Sequence, residues 1–113
     1  MKKDICFISG PMSTVQDFNV PLFNKVDAYL TKWGYEVRNP AIMPIDWANY
    51  EHYLEICYAM IKQCTCVVYL PGASKSKGSN KERKLIKKIN NRNKARTTIL
   101  DISEVIYQSM DLK

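Results

Sequence analysis

The sequence predicts an α/β fold, with one doubly wound parallel sheet of about four to five strands and helices on both faces. Several short runs are apolar at every position, which is typical of strands covered on both sides. Segments with helical periodicity lie between these runs. The links between these segments are short, which favours one continuous three-layer sandwich. A chain of 113 residues has room for one domain, so residues 1–113 are predicted to form a single domain.

The first half of the chain predicts a strand, a helix and a second strand. Residues 5–8 are an apolar run that stops at a Ser-Gly-Pro turn. Pro21 opens a helix at a position where a missing N–H does no harm, and Gly34 ends it. Residues 35–38 alternate like a strand and stop at an Asn-Pro pair.

The second half continues the alternation of helices and strands. Residues 47–62 have helical periodicity, and residues 66–70 give the clearest strand pattern in the chain. A polar loop then leads into a helix over about residues 80–91 and a β-branched strand over 97–100. Ser103 is expected to cap a short last helix. The resulting order, β-α-β-α-β-α-β-α, is typical of flavodoxin-like and Rossmann-like sandwiches.

The composition excludes several classes of protein. Hydrophobic residues make up 46% and charged residues 25%, which are ordinary globular values and exclude a disordered chain. The longest apolar run is residues 66–70, far short of the roughly 20 residues that span a membrane. No apolar segment follows the basic start of the chain, so we expect a cytoplasmic protein without a signal peptide.

Cysteine spacing favours free thiols over a metal site. The four cysteines are Cys6, Cys57, Cys64 and Cys66, and no pair has the spacing of two to four residues that zinc sites use. His52 is the only histidine in the chain, and we interpret it as a surface or interface residue. The thiols are therefore predicted to pack as small hydrophobic groups, with no structural metal and no cofactor.

The positive charge is concentrated in one block. The formal net charge is +6, and residues 75–96 contain ten Lys or Arg residues and one acid, Glu82. Such a block can be a solvated helix face, a rim that attracts a phosphorylated small molecule, or a nucleic-acid surface. The block contains no Phe, Tyr or Trp to stack on bases, which counts against the third interpretation.

A parallel sheet of this kind binds ligands at the carboxyl ends of its strands. Three segments are expected to meet there, namely residues 9–13, 41–47 and 71–82. The third leads into a helix N-terminus, where backbone N–H groups and the helix dipole favour an anion. The segment lacks the Gly-Lys-Ser/Thr ending of a phosphate-binding P-loop, and the chain has no Gly-x-Gly-x-x-Gly motif.

Glu82 has two interpretations on its spacing alone. It is expected in the first turn of the third helix, three residues after Ser79, which is the pattern of a capping box. The alternative is a catalytic carboxylate at the ligand-binding edge of the sheet. The spacing leaves both open.

Four sequence motifs follow one another in a recognisable order. They are Ile-Ser-Gly-Pro-Met at 8–12, Phe-Asn-Val-Pro-Leu-Phe at 18–23, Val-Arg-Asn-Pro-Ala at 37–41, and Tyr-Leu-Pro-Gly at 69–72 followed by Ser-Lys-Gly-Ser at 76–79 and Glu82. Together they resemble the nucleoside 2-deoxyribosyltransferase superfamily, above all its small single-domain members, over residues 5 to about 90.

This resemblance implies cleavage of the bond between a base and a 2-deoxyribose. Glu82 matches the family glutamate that attacks C1′ or stabilises an oxocarbenium-like transition state. Six residues earlier, members that use free nucleosides have an aspartate, whereas 2′-deoxynucleoside 5′-monophosphate N-hydrolases have a serine that holds the phosphate. Here that residue is Ser76, which favours a 5′-monophosphate. The residues expected to bind substrate or its phosphate are Ser9, Gly10, Pro11, Ser13, Ser76, Lys77, Gly78 and Trp47.

The chain departs from the family at a second pair of acids. Both family carboxylates are replaced, by Cys57 and Thr65. A thiol has a reference pKa of about 8.5, so Cys57 is a poor substitute for a carboxylic acid as a proton donor. Asp46, in the second loop, is a candidate to supply the missing acid. Trp47 and Tyr50 follow that loop and are either packing residues or a wall for the base.

Three functions remain open on the sequence. The first is an N-glycosidase or deoxyribosyltransferase acting on a small-molecule nucleotide or nucleoside. The second is a degenerate member that binds a nucleotide without cleaving it, and the third is a basic nucleic-acid-binding module. The family commonly completes its site with a neighbouring subunit, which implies a homodimer or larger assembly with the second helix in the interface.

Overall fold

Four parallel strands form the sheet at the centre of the fold. The computed structural model describes residues 3–13, 15–43, 50–92 and 98–111. The strands are β1 (Ile5–Ser9), β2 (Glu36–Arg38), β3 (Cys66–Tyr69) and β4 (Leu100–Asp101), in the spatial order β2-β1-β3-β4. All three neighbouring pairs are parallel. The predicted doubly wound α/β fold is therefore confirmed.

Four helices cover the two faces of the sheet. They are α1 (Val20–Lys32), α2 (Tyr50–Lys62), α3 (Lys77–Arg92) and α4 (Ser103–Met110). On one face α1 and α4 pack against alternate side chains of β1 and β3, and the core residues of that side include Cys6, Ile8, Phe23, Leu30, Val68 and Ile106. On the other face α2 and α3 cover Phe7, Val67 and Tyr69 with Cys57, Ile61 and Ile86.

The two central strands are covered on both sides, as their unbroken apolar sequence predicts. Every residue of β3 is buried, and so are all residues of β1 except Ile5. All four cysteines are free and buried within the two core layers or beside them. This burial confirms their predicted role as small hydrophobic packing groups.

Two predicted helix ends were wrong. The third helix begins at Lys77 and not near residue 80, because Ser76 accepts the first helical hydrogen bond from the N–H of Asn80. Ser103 does not cap the last helix. Its Oγ instead accepts a hydrogen bond of 2.7 Å from the N–H of Tyr69, and thereby ties α4 to β3.

The last strand is shorter and later than predicted. Ile99 belongs to the predicted strand, but its backbone pairs with a side chain instead of the sheet. Asn90 of α3 donates to the carbonyl oxygen of Ile99 at 3.0 Å and accepts from its N–H at 2.8 Å. Regular pairing with β3 therefore begins only at Leu100.

No helix in the described ranges is long and apolar enough to cross a membrane.

Candidate functional site

The topology opens a crevice between β1 and β3. The chain passes from β1 to β2 on one side and later to β3 on the other, so the connections leave the sheet in opposite directions at this point. Ser9 and Tyr69, the last residues of the two strands, lie opposite each other. Ligands of doubly wound sheets bind where the strand order reverses in this way.

A cavity of about 470 Å³ occupies this crevice. Its volume suits a small organic ligand. Its walls come from the loop after β1, the turn after β2, the N-terminal part of α2 and the N-terminal part of α3. The described lining residues are Ile8, Gly10, Pro11, Met12, Ser13, Phe23, Pro40, Tyr50, Tyr53, Leu54, Lys75, Ser76, Lys77, Gly78, Ser79 and Glu82.

Glu82 is the only carboxylate among the described residues that line this cavity. It lies in the second turn of α3, not the first, because the helix begins five residues before it. Its side chain is 6% exposed, and one carboxylate oxygen accepts a hydrogen bond of 2.7 Å from the Ser9 hydroxyl. A capping-box role is excluded because Ser79 lies inside the helix, where it cannot be the N-cap.

Burial gives the Glu82 carboxyl an unusual acidity. Burial disfavours the charged form and raises the pKa of Glu82 from 4.5 to about 7. Hydrogen bonds from Ser9 and Cys57 favour the charged form and partly offset this rise. A carboxyl with this pKa exchanges its proton near neutral pH. That property is typical of catalytic acids, bases and nucleophiles held in clefts.

Cys57 lies behind Glu82, outside the cavity wall. The thiol is fully buried and donates a hydrogen bond to the Glu82 carboxylate, and the pKa of the thiol is raised first by burial and then by the Glu82 charge. It is not among the residues that line the cavity. Thr65 lies at the opposite edge of the sheet, where its Oγ1 accepts a hydrogen bond of 3.1 Å from the N–H of Ile5. The structure therefore brings Cys57 to Glu82 and leaves Thr65 away from both.

Two tyrosines of α2 form the wall opposite α3. Tyr50 and Tyr53 stand three residues apart and so share one face of the helix. The Tyr53 hydroxyl contacts Met12 Sδ at 3.1 Å and donates a longer hydrogen bond, 3.4 Å, to the carbonyl oxygen of Pro40. Tyr53 was not among the predicted site residues. The signal that could have found it is its spacing from Tyr50 at the start of the same helix.

Buried amide side chains hold the cavity loops in place. Asn19 Nδ2 donates a hydrogen bond of 2.9 Å to the carbonyl oxygen of Pro11, which anchors the loop after β1. Asn39 accepts a hydrogen bond from the N–H of Ala41 and donates to Asp27 of α1, each at 2.9 Å. Both cavity loops are thus tied to the first helical layer.

The N-terminus of α3 faces the cavity with its cap in place. Ser76 Oγ accepts a hydrogen bond of 3.3 Å from the N–H of Ser79, three residues later, which is the geometry of an N-cap. Within the described part of the chain the Ser76 hydroxyl donates no hydrogen bond, so its proton can serve a ligand. Lys75 and Lys77 on either side are exposed, and Gly78 leaves room for the Tyr50 hydroxyl, which an added Cβ would approach to 2.9 Å.

Ser79 carries a polar atom that the fold does not satisfy. Its side chain is 2% exposed, and its Oγ has no hydrogen-bond partner among the described residues. A buried hydroxyl without a partner costs about 1–3 kcal/mol. It stands one helical turn before Glu82.

The structure brings most of the predicted substrate-binding residues together. Gly10, Pro11, Ser13, Ser76, Lys77 and Gly78 line the cavity, and Ser9 contacts Glu82 directly. Asp46 and Trp47 lie outside the described residues. His52 is exposed on α2, as a surface residue should be. No group of three or more potential metal-binding side chains occurs within the described ranges.

Comparison with known proteins gives one match. A family model described as a domain of unknown function, DUF4406, matches residues 4–93, which include β1 to β3 and every described cavity residue. No curated protein and no solved structure gives a significant match.

Proposed function

The chain belongs to the DUF4406 family, and from the cavity itself we propose that it cleaves the N-glycosidic bond of a 2′-deoxynucleoside, as a 5′-monophosphate in preference to the free nucleoside. The observation that carries this proposal is Glu82. It is a single buried carboxyl with a pKa of about 7, held by Ser9 at the floor of a cavity large enough for a nucleotide. The resemblance of the four motifs to nucleoside 2-deoxyribosyltransferases supports the same reaction.

The α3 end of the cavity suits a phosphate. Ser76 offers a hydroxyl proton at the start of α3. The first N–H groups of α3 and the positive end of the helix dipole lie at the same end and favour an anion there. Lys75 and Lys77 add two charges at the rim. We therefore place the 5′-phosphate there, which leaves the sugar beside Glu82.

The opposite end of the cavity suits a base. Tyr53 presents an aromatic ring there, and Met12, Phe23 and Leu54 add apolar surface. The Tyr50 ring stands between this end and Gly78. A flat heterocycle packs well against such a wall.

The chemistry follows from the ionised Glu82 carboxylate. A carboxylate oxygen forms a bond to C1′ of the sugar while the C1′–N bond breaks. The electron pair of the C1′–N bond leaves with the base. The base takes a proton from water, because the Cys57 thiol is held outside the cavity and its raised pKa keeps its proton in place. Attack on C1′ by water, or by a second base, then releases Glu82. The Ser9 hydrogen bond orients the carboxylate throughout.

The direct test is base release. The wild type and the Glu82→Gln variant are incubated with each of the four deoxynucleoside monophosphates and with the unphosphorylated nucleosides, and free base is quantified by chromatography. We expect release by the wild type and a loss of at least about a thousandfold in the variant, as for removal of a covalent nucleophile. A Ser76→Ala variant should reduce the preference for the monophosphate. Release that is unchanged in Glu82→Gln would contradict the proposal.

A second candidate function is nucleotide binding without cleavage. The observation that favours it is the absence of a second carboxylate from the described lining. The nucleoside 2-deoxyribosyltransferases that the motifs resemble have an acid at the position where this chain has Cys57. The two functions differ in one result. Thermal stabilisation by a deoxynucleotide with no release of base from any substrate would identify a binding protein that keeps the cavity and lacks turnover.

We also propose a homodimer or larger assembly in the cytoplasm, with α2 in the interface. Ile56 of α2 is 48% exposed, and the four buried thiols suit a reducing compartment.

A further inference from the structure

The outer face of α3 carries an uncompensated positive charge. Between Lys77 and Arg92 the helix has seven basic residues and one acid, Glu82, which faces inward and is buried. In the described ranges the one ion pair within 4 Å joins Arg38 to Glu36, on β2. Among the described residues no carboxylate pairs with a cation of α3, while Lys81 lies over the Tyr50 ring and Arg83 over the Tyr69 ring. The other cations of the helix can therefore attract an external anion.

Three of these lysines line a groove on the α2–α3 surface. Lys81, Lys84 and Lys88 are spaced three and four residues apart and therefore follow one edge of the helix. The groove has a volume of about 350 Å³, and its remaining walls are Tyr58 of α2 and Leu85. It shares no lining residue with the cavity that contains Glu82, as far as both are described.

Packing supplies the aromatic ring that the basic block lacks in sequence. No aromatic residue occurs from residue 75 to residue 96, but the contact between α2 and α3 brings the half-buried Tyr58 into the same groove as the lysines. Proteins that bind single strands combine a basic groove with aromatic rings in its walls on which the bases stack.

We propose that this groove binds single-stranded nucleic acid, with a base stacked on Tyr58 and phosphates on the groove lysines, above all Lys84 and Lys88. The rise from Lys81 to Lys88 is about 10 Å at 1.5 Å per residue. A flexible single strand can place successive phosphates along this length. A duplex keeps its base faces stacked inside and presents none to Tyr58, so the groove selects an unpaired strand.

Binding is independent of the proposed glycosidase reaction. It is measured with the Glu82→Gln variant, which removes the carboxylate required for cleavage, by fluorescence anisotropy of a labelled single-stranded 12-mer at several salt concentrations. Two double variants are compared with it: Lys84→Ala/Lys88→Ala in the groove, and Lys25→Ala/Lys32→Ala on α1, which removes the same charge from the opposite face of the sheet.

The groove variant is expected to bind at least tenfold more weakly. Its slope of log affinity against log salt should fall by about 1.4, since each lost phosphate contact contributes about 0.7 for a single strand. Tyr58→Leu should lose about tenfold with an unchanged salt slope, and Tyr58→Phe should retain binding because the ring is what stacks. The α1 variant should stay close to the parent.

Three results would overturn the inference. One is equal weakening by the groove variant and the α1 variant, which would indicate a general effect of net charge. Another is binding of heparin, or of the matched duplex, as tight as that of the single strand, since neither offers an accessible base. The third is an affinity that Tyr58→Leu leaves unchanged while circular dichroism shows an intact fold.

Discussion

At the scale of single residues, the Glu82 carboxyl connects the chemistry of the site to the stability of the fold. Its pKa is about 7 in the folded protein and about 4.5 in an exposed chain. Between these two values the folded state holds a proton that the unfolded state has lost, so stability contributed by this group falls as pH rises from about 4.5 to 7 and then levels off.

The first prediction uses this linkage. Glu82→Gln keeps the size of the side chain and removes the charge, so it should stabilise the protein more at pH 8 than at pH 4.5. The difference should be up to about 3 kcal/mol, from 2.5 pKa units at 1.36 kcal/mol each. Urea unfolding of both proteins across this range measures it. A constant difference would mean that the folded pKa of Glu82 is normal. In the wild type, the proposed release of base should rise with pH through about 7, because the proposed nucleophile is the ionised form of Glu82.

Ser79 gives a second prediction at this scale. Removing its unpartnered hydroxyl in Ser79→Ala should raise the free energy of unfolding by about 1 kcal/mol, from relief of the buried hydroxyl and better helix propensity. Ser109→Ala, at an exposed position of α4, is the matched control. It gains helix propensity but removes no buried hydroxyl. Denaturant unfolding should rank Ser79→Ala above the control. A destabilised Ser79→Ala would reveal a partner for the hydroxyl.

At the scale of elements, close approach of backbone segments shapes the cavity. Gly10 follows β1 directly and passes over the Leu70 side chain, which is 1% exposed. A Cβ at Gly10 would stand 2.7 Å from Leu70 Cβ, whereas a Cβ at Gly78 would meet only the Tyr50 hydroxyl, at 2.9 Å. Leu70 has no room to move in the core, but the tip of Tyr50 borders an open cavity.

The third prediction contrasts these two glycines. Gly10→Ala should lower the free energy of unfolding by about 1–3 kcal/mol, the usual cost of overpacking a core. Gly78→Ala should change it by less than about 1 kcal/mol, because alanine favours the helix and the tyrosine can turn aside. Thermal or urea unfolding compares them. Equal destabilisation would show that the Tyr50 ring is held as firmly as the core. Gly78→Ala should still weaken nucleotide binding, since the displaced ring enters the cavity.

At the scale of the whole molecule, the proposed assembly is tested by sedimentation. With α2 in the interface, we expect a species of at least twice the monomer mass at micromolar concentration. Ile56→Glu, which places a charge in the exposed apolar part of α2, should shift the protein to the monomer. Val105→Glu makes the same change at an exposed position of α4 and should not. A monomeric wild type would contradict the proposed assembly.

The order of the elements, the parallel sheet and the edge at which the cavity loops meet could be predicted from the amino-acid sequence. Each of these follows from local signals: unbroken apolar runs, helical spacing and turn residues. The position of Glu82 on the third helix belongs to the same group. The helical turn in which Glu82 lies could not be predicted in this way. The start of α3 depends on the capping hydrogen bond of Ser76, and the apolar periodicity does not reveal that bond.

Which groups meet at the site depends on tertiary packing. Ser9 donates to Glu82 from 73 residues away in the chain, Cys57 lies behind the carboxylate instead of in the cavity, and Tyr58 joins lysines of another helix. These contacts cross from one element to another, so they depend on how α2 and α3 rotate and pack against the sheet. Periodicity identifies which face of a helix is buried, but packing decides which side chain it touches and how much water remains, and burial is what raises the pKa of Glu82.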